Sequence, residues 1–369
     1  MTTIAAPRES LDQLIARIAP LDDAAMALAA DRLDHLTKPK GSLGRLETLA
    51  IQLAGIRGRL AGVERSAIVV FAADHGVVAQ GVSAYPSAVT REMVANYAAG
   101  GAAINVLARA SESALIVVDV GIAGAALDAV PAADTGDHGR AAQVLARRIR
   151  PGSRDFSVEP ALTRDETLAA IDAGRRTIDE LVADGVDVVG VGEMGIGNTT
   201  SASALVAALV GRPADAVTGP GTGLDDDGIR HKVALIDAAI ARHAPDRDDA
   251  LGVLATLGGL EIAALVGAIL AAAAARVPVV LDGFITGSAA LVAARLAPAV
   301  VPRLIPAHES PEPGHRIVLD ELGLEPLLAL GLRLGEGSGA ALGLPIVRAA
   351  GDVVVKMATF DEAGVSGRT

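Results

Sequence analysis

Five runs of consecutive apolar residues, rich in valine and isoleucine, recur along the chain. They lie at residues 66–76, 114–120, 187–191, 277–283 and 300–305. Continuous runs of this kind are typical of strands buried on both faces, as in a parallel sheet. The first run ends in Asp74 and His75, and the fourth contains Asp282 near its end. The polar groups therefore fall at the carboxyl ends of predicted strands, where α/β proteins bind ligands.

Helical spacing of apolar residues separates these runs. It begins in two N-terminal segments, at Leu11, Leu14, Ile15 and Ile18 and at Leu46, Leu49, Leu53 and Ile56. Further helices are predicted at residues 90–109, 164–183, 198–210, 226–243, 259–275 and 286–296, and the tail turns helical again from Leu322. Alternating strands and helices predict an α/β fold, a Rossmann-like doubly wound parallel sheet of about five or six strands.

The distribution of these elements predicts three parts of the chain. Residues 1–62 form a helical piece that contributes to a smaller helical domain, and residues 63–320 form the α/β domain that binds nucleotide and base. Residues 321–369 form a C-terminal helical segment that carries Glu336 and packs with the small domain. The segment rich in glycine, alanine and aspartate at 121–157 is expected to hold loops and short elements.

Composition excludes several classes of function. The 369 residues carry a net charge of -12 with only 2% aromatic side chains, which argues against a nucleic-acid partner. The chain has no cysteine, which excludes thiol chemistry and fits a cytoplasmic protein. Its longest apolar run, residues 262–275, has 14 residues, and a spanning helix needs about 20. We therefore expect no membrane span, and no secretory signal at the N-terminus.

A glycine-rich segment, GVGEMGIGNTTSASAL, follows the third predicted strand and opens a helix at Asn198. Glycines and a helix N-terminus suit an anion such as phosphate, although a tight strand-to-helix turn explains the glycines as well.

The segment formally matches the G-x-G-x-x-G dinucleotide fingerprint. Against that match, Glu193 would place a carboxylate at the pyrophosphate, and Asp215 lies in a turn-like segment. The chain has no Gly-Lys pair, so a P-loop is excluded.

A second glycine-rich loop, TGPGTGLDDDGIRHK, contains Gly221 and leads into a helix that carries Lys232. Phosphate binding with Lys232 as the counter-charge is one interpretation. The other is a surface turn whose aspartates, Asp225 to Asp227, cap the helix.

A third segment, LRLGEGSGAALGL, holds Glu336 between Gly335 and Gly337. Its spacing favours two roles equally, a cap for the helix beginning near Ser338 or a general base whose basicity is raised by burial. Other polar residues in apolar surroundings are Asp74, His75, Asp282, His308, Glu309, Ser310 and His315. A metal site among them is disfavoured, since they lack tight ligand spacing, and ordinary polar contacts are expected instead.

Seven blocks of the chain, in order, resemble the nicotinate-nucleotide:dimethylbenzimidazole phosphoribosyltransferase family. They are TKPKGSLGRLE, FAADHGVVAQGVSAYP, GEMGIGNTTSASAL, TGPGTGL, LDGFITGSAAL, AHESPEPGH and LRLGEGSGAAL, and they extend from about residue 37 to 347. The resemblance implies a homodimer that moves a phosphoribosyl group from nicotinate mononucleotide to a benzimidazole, with inversion and without a metal or other cofactor. The product would be α-ribazole 5'-phosphate, used for the lower ligand of cobalamin.

The resemblance also implies roles for individual residues. Glu336 would be the catalytic base, and Glu193 would border the reaction centre. The nucleotide and its phosphate would meet Gly195, Asn198, Gly221, Lys232 and Ser310. The benzimidazole would meet Ser83, Tyr85, Met194 and Leu334. The preferred base, whether 5,6-dimethylbenzimidazole, another benzimidazole, adenine or a phenol, is left open by the sequence.

Two other functions use the same glycine loops. A nucleotide-binding regulator would need no base at Glu336. An NAD-linked dehydrogenase, suggested by the formal fingerprint, would bind the dinucleotide rather than consume the mononucleotide.

Overall fold

The computed structural model describes residues 9–131 and 141–366. One sheet of six strands runs through these residues, and every pair of neighbouring strands is parallel. The strands are β1 (Ser66–Ala73), β2 (Ala114–Gly121), β3 (Gln143–Ala146), β4 (Val188–Met194), β5 (Val279–Leu281) and β6 (Leu304–Pro306). Their spatial order is β3-β2-β1-β4-β5-β6. The order reverses direction between β1 and β4, which is the switch point of a doubly wound sheet. The predicted fold class is confirmed.

Helices follow most strands and cover both faces of the sheet. They are α1 (Leu11–Ala16), α2 (Asp23–His35), α3 (Arg45–Arg57), α4 (Ala88–Ala99), α5 (Ala103–Ala110), α6 (Arg164–Ala183), α7 (Asn198–Val210), α8 (Ala214–Val217), α9 (Asp226–His243), α10 (Ala250–Leu257), α11 (Leu260–Ala274), α12 (Phe284–Leu296), α13 (Pro313–Leu322), α14 (Ser338–Lys356) and α15 (Phe360–Ala363). Two 3-10 helices add Gly76–Gln80 and Pro298–Arg303.

Alternate residues of β1 point into two separate cores. Val69 and Phe71 pack in the core that contains α6, α7, α11 and α12. Ile68 and Val70 pack in the core that contains α2, α3, α5 and α14. Because both faces are covered, the strand can be apolar at every position. Helices α2, α3 and α14 thus share one face of the sheet, whereas Leu14 of α1 packs in the core on the other face. The division of the chain near residues 62 and 320 stays a prediction.

Several predicted elements are wrong in detail. The single helix at 90–109 is two helices, since Gly100 takes a left-handed conformation (φ 83°) and ends α4. Residues 300–303 belong to a 3-10 helix, so the last strand is shorter than predicted. Leu322 ends α13, and the chain returns to helix only at Ser338. The strand β3 lies in the segment predicted to hold loops and short elements, of which residues 132–140 are outside the described ones.

One helix, α14, is long and apolar enough to cross a membrane by length and composition. However, 56% of that stretch is buried within the protein. It packs against α3, α5 and β4, so its apolar residues are used in the core. Among the described residues, this is the one helix that passes that test, and partial burial of this kind is typical of a core helix.

Candidate active site

A cavity of about 700 Å³ opens beside the carboxyl ends of β4, β5 and β6. Its walls come from the turn after β4, the turn after β5, the residues after β6, the Gly221 loop and the segment that ends in Glu336. The position follows from the parallel sheet, because all strands point their carboxyl ends to the same edge. The third glycine-rich segment, far away in sequence, is brought there by α14, which packs against β4 and β5.

The cavity gathers nearly all the site residues expected from the sequence. Those that line it are Glu336, Glu193, Gly195, Asn198, Gly221, Ser310, Tyr85, Met194 and Leu334. Lys232 and Ser83 do not reach its surface. Lys232 is fully buried, and its Nζ donates to Thr199 Oγ1 at 3.0 Å, one layer behind the Gly221 loop. Ser83 Oγ accepts from the backbone N–H of Tyr85 at 3.1 Å, so it shapes the turn beside the cavity.

Glu336 lies in a tight left-handed turn. Its φ is 61°, and its neighbours Gly335 and Gly337 have φ values of 80° and 79°. A left-handed conformation is unfavourable for a residue with a Cβ, and the flanking glycines make the turn possible. Glu336 is only 6% exposed, and its Oε2 has no hydrogen-bond partner among the described residues. The capping role that the spacing allowed for Glu336 is therefore wrong.

The cap of α14 is instead Asp282, which follows β5. Its Oδ2 accepts from the N–H of Gly337 at 3.0 Å, and its Oδ1 accepts from Gly339 at 2.6 Å and Ala340 at 3.3 Å. A carboxylate at a helix N-terminus satisfies free donors and meets the positive end of the dipole. Asp282 thus fixes the turn that presents Glu336. The sequence showed Asp282 at a strand end but gave no sign of its partner.

Gly192 on β4 allows this turn to approach the sheet. A Cβ at position 192 would overlap the backbone nitrogen of Gly337. The glycines of the supposed dinucleotide fingerprint therefore serve close packing of the Glu336 turn, at least at position 192.

Burial shifts the titration of the carboxyl groups in the cavity. It raises the pKa of Glu336 to about 7, the phenol of Tyr97 lowers that pKa, and the charge of Asp282 raises it. Burial also raises the pKa of Glu193 well above its ordinary value, with further increases from Asp282, Glu261 and Glu336. The amide of Asn198 donates to Glu193 Oε2, which acts in the opposite direction. Both glutamates thus have raised pKa values, and that of Glu336 lies near neutrality.

A buried lysine and a buried glutamate lie at the far end of the cavity. Glu312 is part of the lining, and Lys232 lies one layer behind it. Burial lowers the pKa of Lys232 to about 8, against the charge of Glu312, which raises it. Glu312 is 6% exposed, and its Oε1 accepts from the N–H of Gly221 at 2.9 Å. Its Oε2 has no partner within the described ranges, and burial raises its pKa. Sequence reasoning missed Glu312 and singled out Glu309, which faces Arg316 at 3.6 Å outside the cavity.

Two of the histidines considered as metal ligands, His75 and His315, are engaged in other hydrogen bonds. His75 bonds Ser201 Oγ through Nδ1 at 2.9 Å and Glu261 Oε1 through Nε2 at 2.6 Å. His315 Nδ1 accepts from the N–H of Ser310 at 2.9 Å. Across residues 9–131 and 141–366, no group of three or more His, Asp or Glu side chains is arranged to hold a metal ion.

Comparison with known proteins shows the family to which the chain belongs. The model of a phosphoribosyltransferase family, DBI_PRT, matches residues 18–365. The nicotinate-nucleotide–dimethylbenzimidazole phosphoribosyltransferase of Roseiflexus sp. (strain RS-1) is 53% identical over 97% of this chain and 98% of its own. The protein of that name from Chloroflexus aggregans is 52% identical over 96% and 98%. The crystal structure of CobT from Thermus thermophilus has a TM-score of 0.85 and 46% identity, covering 94% of this chain and 100% of that one. The chain therefore belongs to the family of nicotinate-nucleotide–dimethylbenzimidazole phosphoribosyltransferases.

Proposed function

We propose that this protein transfers the 5-phosphoribosyl group of nicotinate mononucleotide to 5,6-dimethylbenzimidazole. The products are nicotinate and α-ribazole 5'-phosphate, which enters the lower ligand of cobalamin. The observation that carries the proposal is the carboxylate of Glu336, which lies in the cavity with a pKa of about 7 and an unpartnered oxygen. A general base works best when its pKa lies near the working pH.

Glu336 takes a proton from the incoming base. One nitrogen of the benzimidazole attacks the anomeric carbon from the face opposite nicotinate, so the β configuration becomes α. Glu336 removes the proton from the other nitrogen, and nicotinate leaves with the electron pair of the glycosidic bond, which neutralises its pyridinium ring. The leaving group is cationic at the start, so the reaction needs no acid to protonate it and no metal or other cofactor.

Glu193 differs from Glu336 in its hydrogen bonding. Burial raises the pKa of Glu193, and neighbouring carboxyl groups, Glu336 among them, raise it further. The amide of Asn198 donates to Oε2 of Glu193 and holds that carboxyl group in place. Glu193 borders the anomeric carbon as a hydrogen-bonding group, and Glu336, which has an unpartnered oxygen, accepts the proton.

The two substrates enter opposite ends of the cavity. The phosphate meets the loop of Gly221, with Lys232 behind it, and the nucleotide extends past Gly195, Asn198 and Ser310. Helix α7 begins at Asn198, so its N-terminal N–H groups add favourable donors for an anion.

The benzimidazole occupies the end of the cavity built from Tyr85, Met194 and Leu334, with Ser83 holding the turn of Tyr85. Met194 is buried, whereas Tyr85 and Leu334 are 50% and 53% exposed. Apolar side chains at a cavity mouth suit a planar apolar base. In the cell we place the enzyme in the cytoplasm as a homodimer.

The test is to incubate purified protein with nicotinate mononucleotide and 5,6-dimethylbenzimidazole and to follow nicotinate and the ribosylated product by chromatography. Base-dependent release of nicotinate together with an α-linked product is the expected result, and it should persist in chelator. Release of nicotinate without base would indicate a hydrolase. Tight binding of the mononucleotide without turnover would favour a nucleotide-binding regulator.

A further inference from the structure

The hydroxyl of Tyr97 is buried without a partner in ordinary hydrogen-bond geometry. Tyr97 is 0% exposed, and neither its Oη nor Oε2 of Glu336 has a well-formed hydrogen bond among the described residues. A buried hydroxyl without a partner costs free energy. Phenylalanine would fill the same space, so the hydroxyl at this position calls for a polar partner nearby.

Helix geometry places this hydroxyl behind the wall of the cavity. Val89 and Met93 on α4 line the cavity, and Tyr97 follows Met93 by four residues, on the same face of the helix. The backbone of Tyr97 is fixed, because its carbonyl accepts from Asn105 Nδ2 at 2.8 Å and from the N–H of Ala142 at 3.0 Å.

The phenol and the carboxylate of Glu336 interact in this arrangement. Burial raises the pKa of Tyr97 most, the charges of Glu336 and Glu193 raise it further, and a hydrogen-bonding interaction of the phenol with Glu336 adds to the increase. In return the phenol lowers the pKa of Glu336, against burial. The other titratable groups around Glu336 are Asp282 after β5 and Glu193 on β4, and His308 faces Asp282 at 3.8 Å. The phenol of Tyr97 is a neutral hydrogen-bond donor beside them.

We propose that Tyr97 is a positioning residue: its hydroxyl donates a hydrogen bond to Oε2 of Glu336, which keeps the carboxylate ionised and directs Oε1 towards the proton of the benzimidazole. Hydrogen bonds in catalytic sites are often long before the substrate binds and tighten in the complex. The inference rests on the proposed role of Glu336 as the base. The proposal gives a role in catalysis to a residue of α4 that does not line the cavity.

The substitution Tyr97→Phe tests the proposal, because it removes only the hydroxyl and leaves the ring packed. Loss of the donor raises the pKa of Glu336, so the acidic limb of the kcat/KM profile should move to higher pH by about one unit. Turnover should fall about fivefold at pH 7 and stay within about twofold of the native enzyme at pH 9. A loss of equal size at every pH, or an unmoved limb, would overturn the proposal.

A double-mutant comparison separates this inference from the proposed function. In a Glu336→Gln background the base is gone, so adding Tyr97→Phe should have no further effect on turnover. A further loss would show that Tyr97 acts elsewhere and would overturn the inference. Full activity of Glu336→Gln alone would instead overturn the proposed base, and Tyr97 with it. Circular dichroism and binding of nicotinate mononucleotide by Tyr97→Phe establish that the variant is folded, and a folded variant is expected since the apolar contacts of the ring are retained.

Discussion

Replacing Glu336 by Gln should separate catalysis from stability in this protein. The amide keeps the shape of the carboxylate and tolerates the same left-handed turn between Gly335 and Gly337. It cannot accept a proton from the benzimidazole. General bases typically contribute about 100-fold to 10,000-fold to rate, so kcat should fall by about 100-fold or more while nicotinate mononucleotide still binds.

The same substitution should change the pH dependence of folding. In the unfolded chain Glu336 has its ordinary pKa of 4.5, and in the folded protein its pKa is about 7. The folded state therefore binds the proton more tightly, so the group contributes fully to stability below its unfolded pKa. That contribution is lost as the pH rises through 7. Between pH 5 and pH 8 the native protein should lose about 2 to 3 kcal/mol from this carboxyl group alone. Gln does not titrate, so the variant avoids this loss.

The assay combines turnover with urea unfolding of both proteins at pH 5 and pH 8. The difference in free energy of unfolding, variant minus native, should shift in favour of the variant by about 2 to 3 kcal/mol between the two pH values. Glu309→Gln is a matched control, because that carboxyl group lies outside the cavity and faces Arg316. It should change neither turnover nor the pH dependence. Native-like turnover of Glu336→Gln, or a stability difference that is the same at both pH values, would refute the reasoning.

Three further substitutions test the walls of the site. Lys232→Met removes the cation behind the Gly221 loop, so KM for nicotinate mononucleotide should rise by about tenfold or more with little change in kcat; an unchanged KM in steady-state kinetics would contradict this. In the native enzyme the mononucleotide should bind more weakly above pH 8, where Lys232 loses its proton. Gly192→Ala forces the backbone of Gly337 away from β4 and should lower kcat by about tenfold or more. Gly190→Ala is its control, since a Cβ there meets only side-chain carbons at 3.2 Å or more, and equal losses in the two variants would argue against a displaced turn. Asp282→Asn removes a charge that raises the pKa of the catalytic carboxyl group, so the acidic limb of kcat/KM should move to lower pH, and a shift to higher pH would exclude this electrostatic role.

Helices and strands could be predicted from the sequence where the local signals fixed both of their ends. The limits of α7 and α9 match the predicted ones, because apolar spacing, glycine and capping residues agree there. The helix predicted at 90–109 failed because its apolar spacing continues across Gly100, whose left-handed conformation breaks the helix. The strand β3 has only four residues and one buried position. A strand so short and so exposed leaves too weak a pattern to be recognised.

Residues of the site could be predicted only where the neighbouring sequence marked them as unusual. Gly335 and Gly337 drew attention to Glu336, and the structure places that residue in a left-handed turn at the cavity. The spacing could not decide between a cap and a base, because the real cap is a residue 54 positions earlier, Asp282. A hydrogen bond between residues so far apart in sequence depends on which strand ends and helices lie together in the fold. No local sequence pattern predicts it. For the same reason Tyr97 and Glu312 escaped attention, since each looks like an ordinary helix or loop residue in the sequence.

The placement of Glu336 explains why the protein uses a strained turn at this point. A glutamate that served as the helix cap would have its oxygens bonded to backbone N–H groups, which stabilise the ionised form and lower the pKa. Asp282 takes those bonds instead and leaves Glu336 without them, so burial determines its titration. The left-handed conformation turns the Glu336 side chain towards the cavity rather than towards the N–H groups of α14. In the proposed mechanism, capping and proton transfer thus fall to two different carboxyl groups, Asp282 and Glu336.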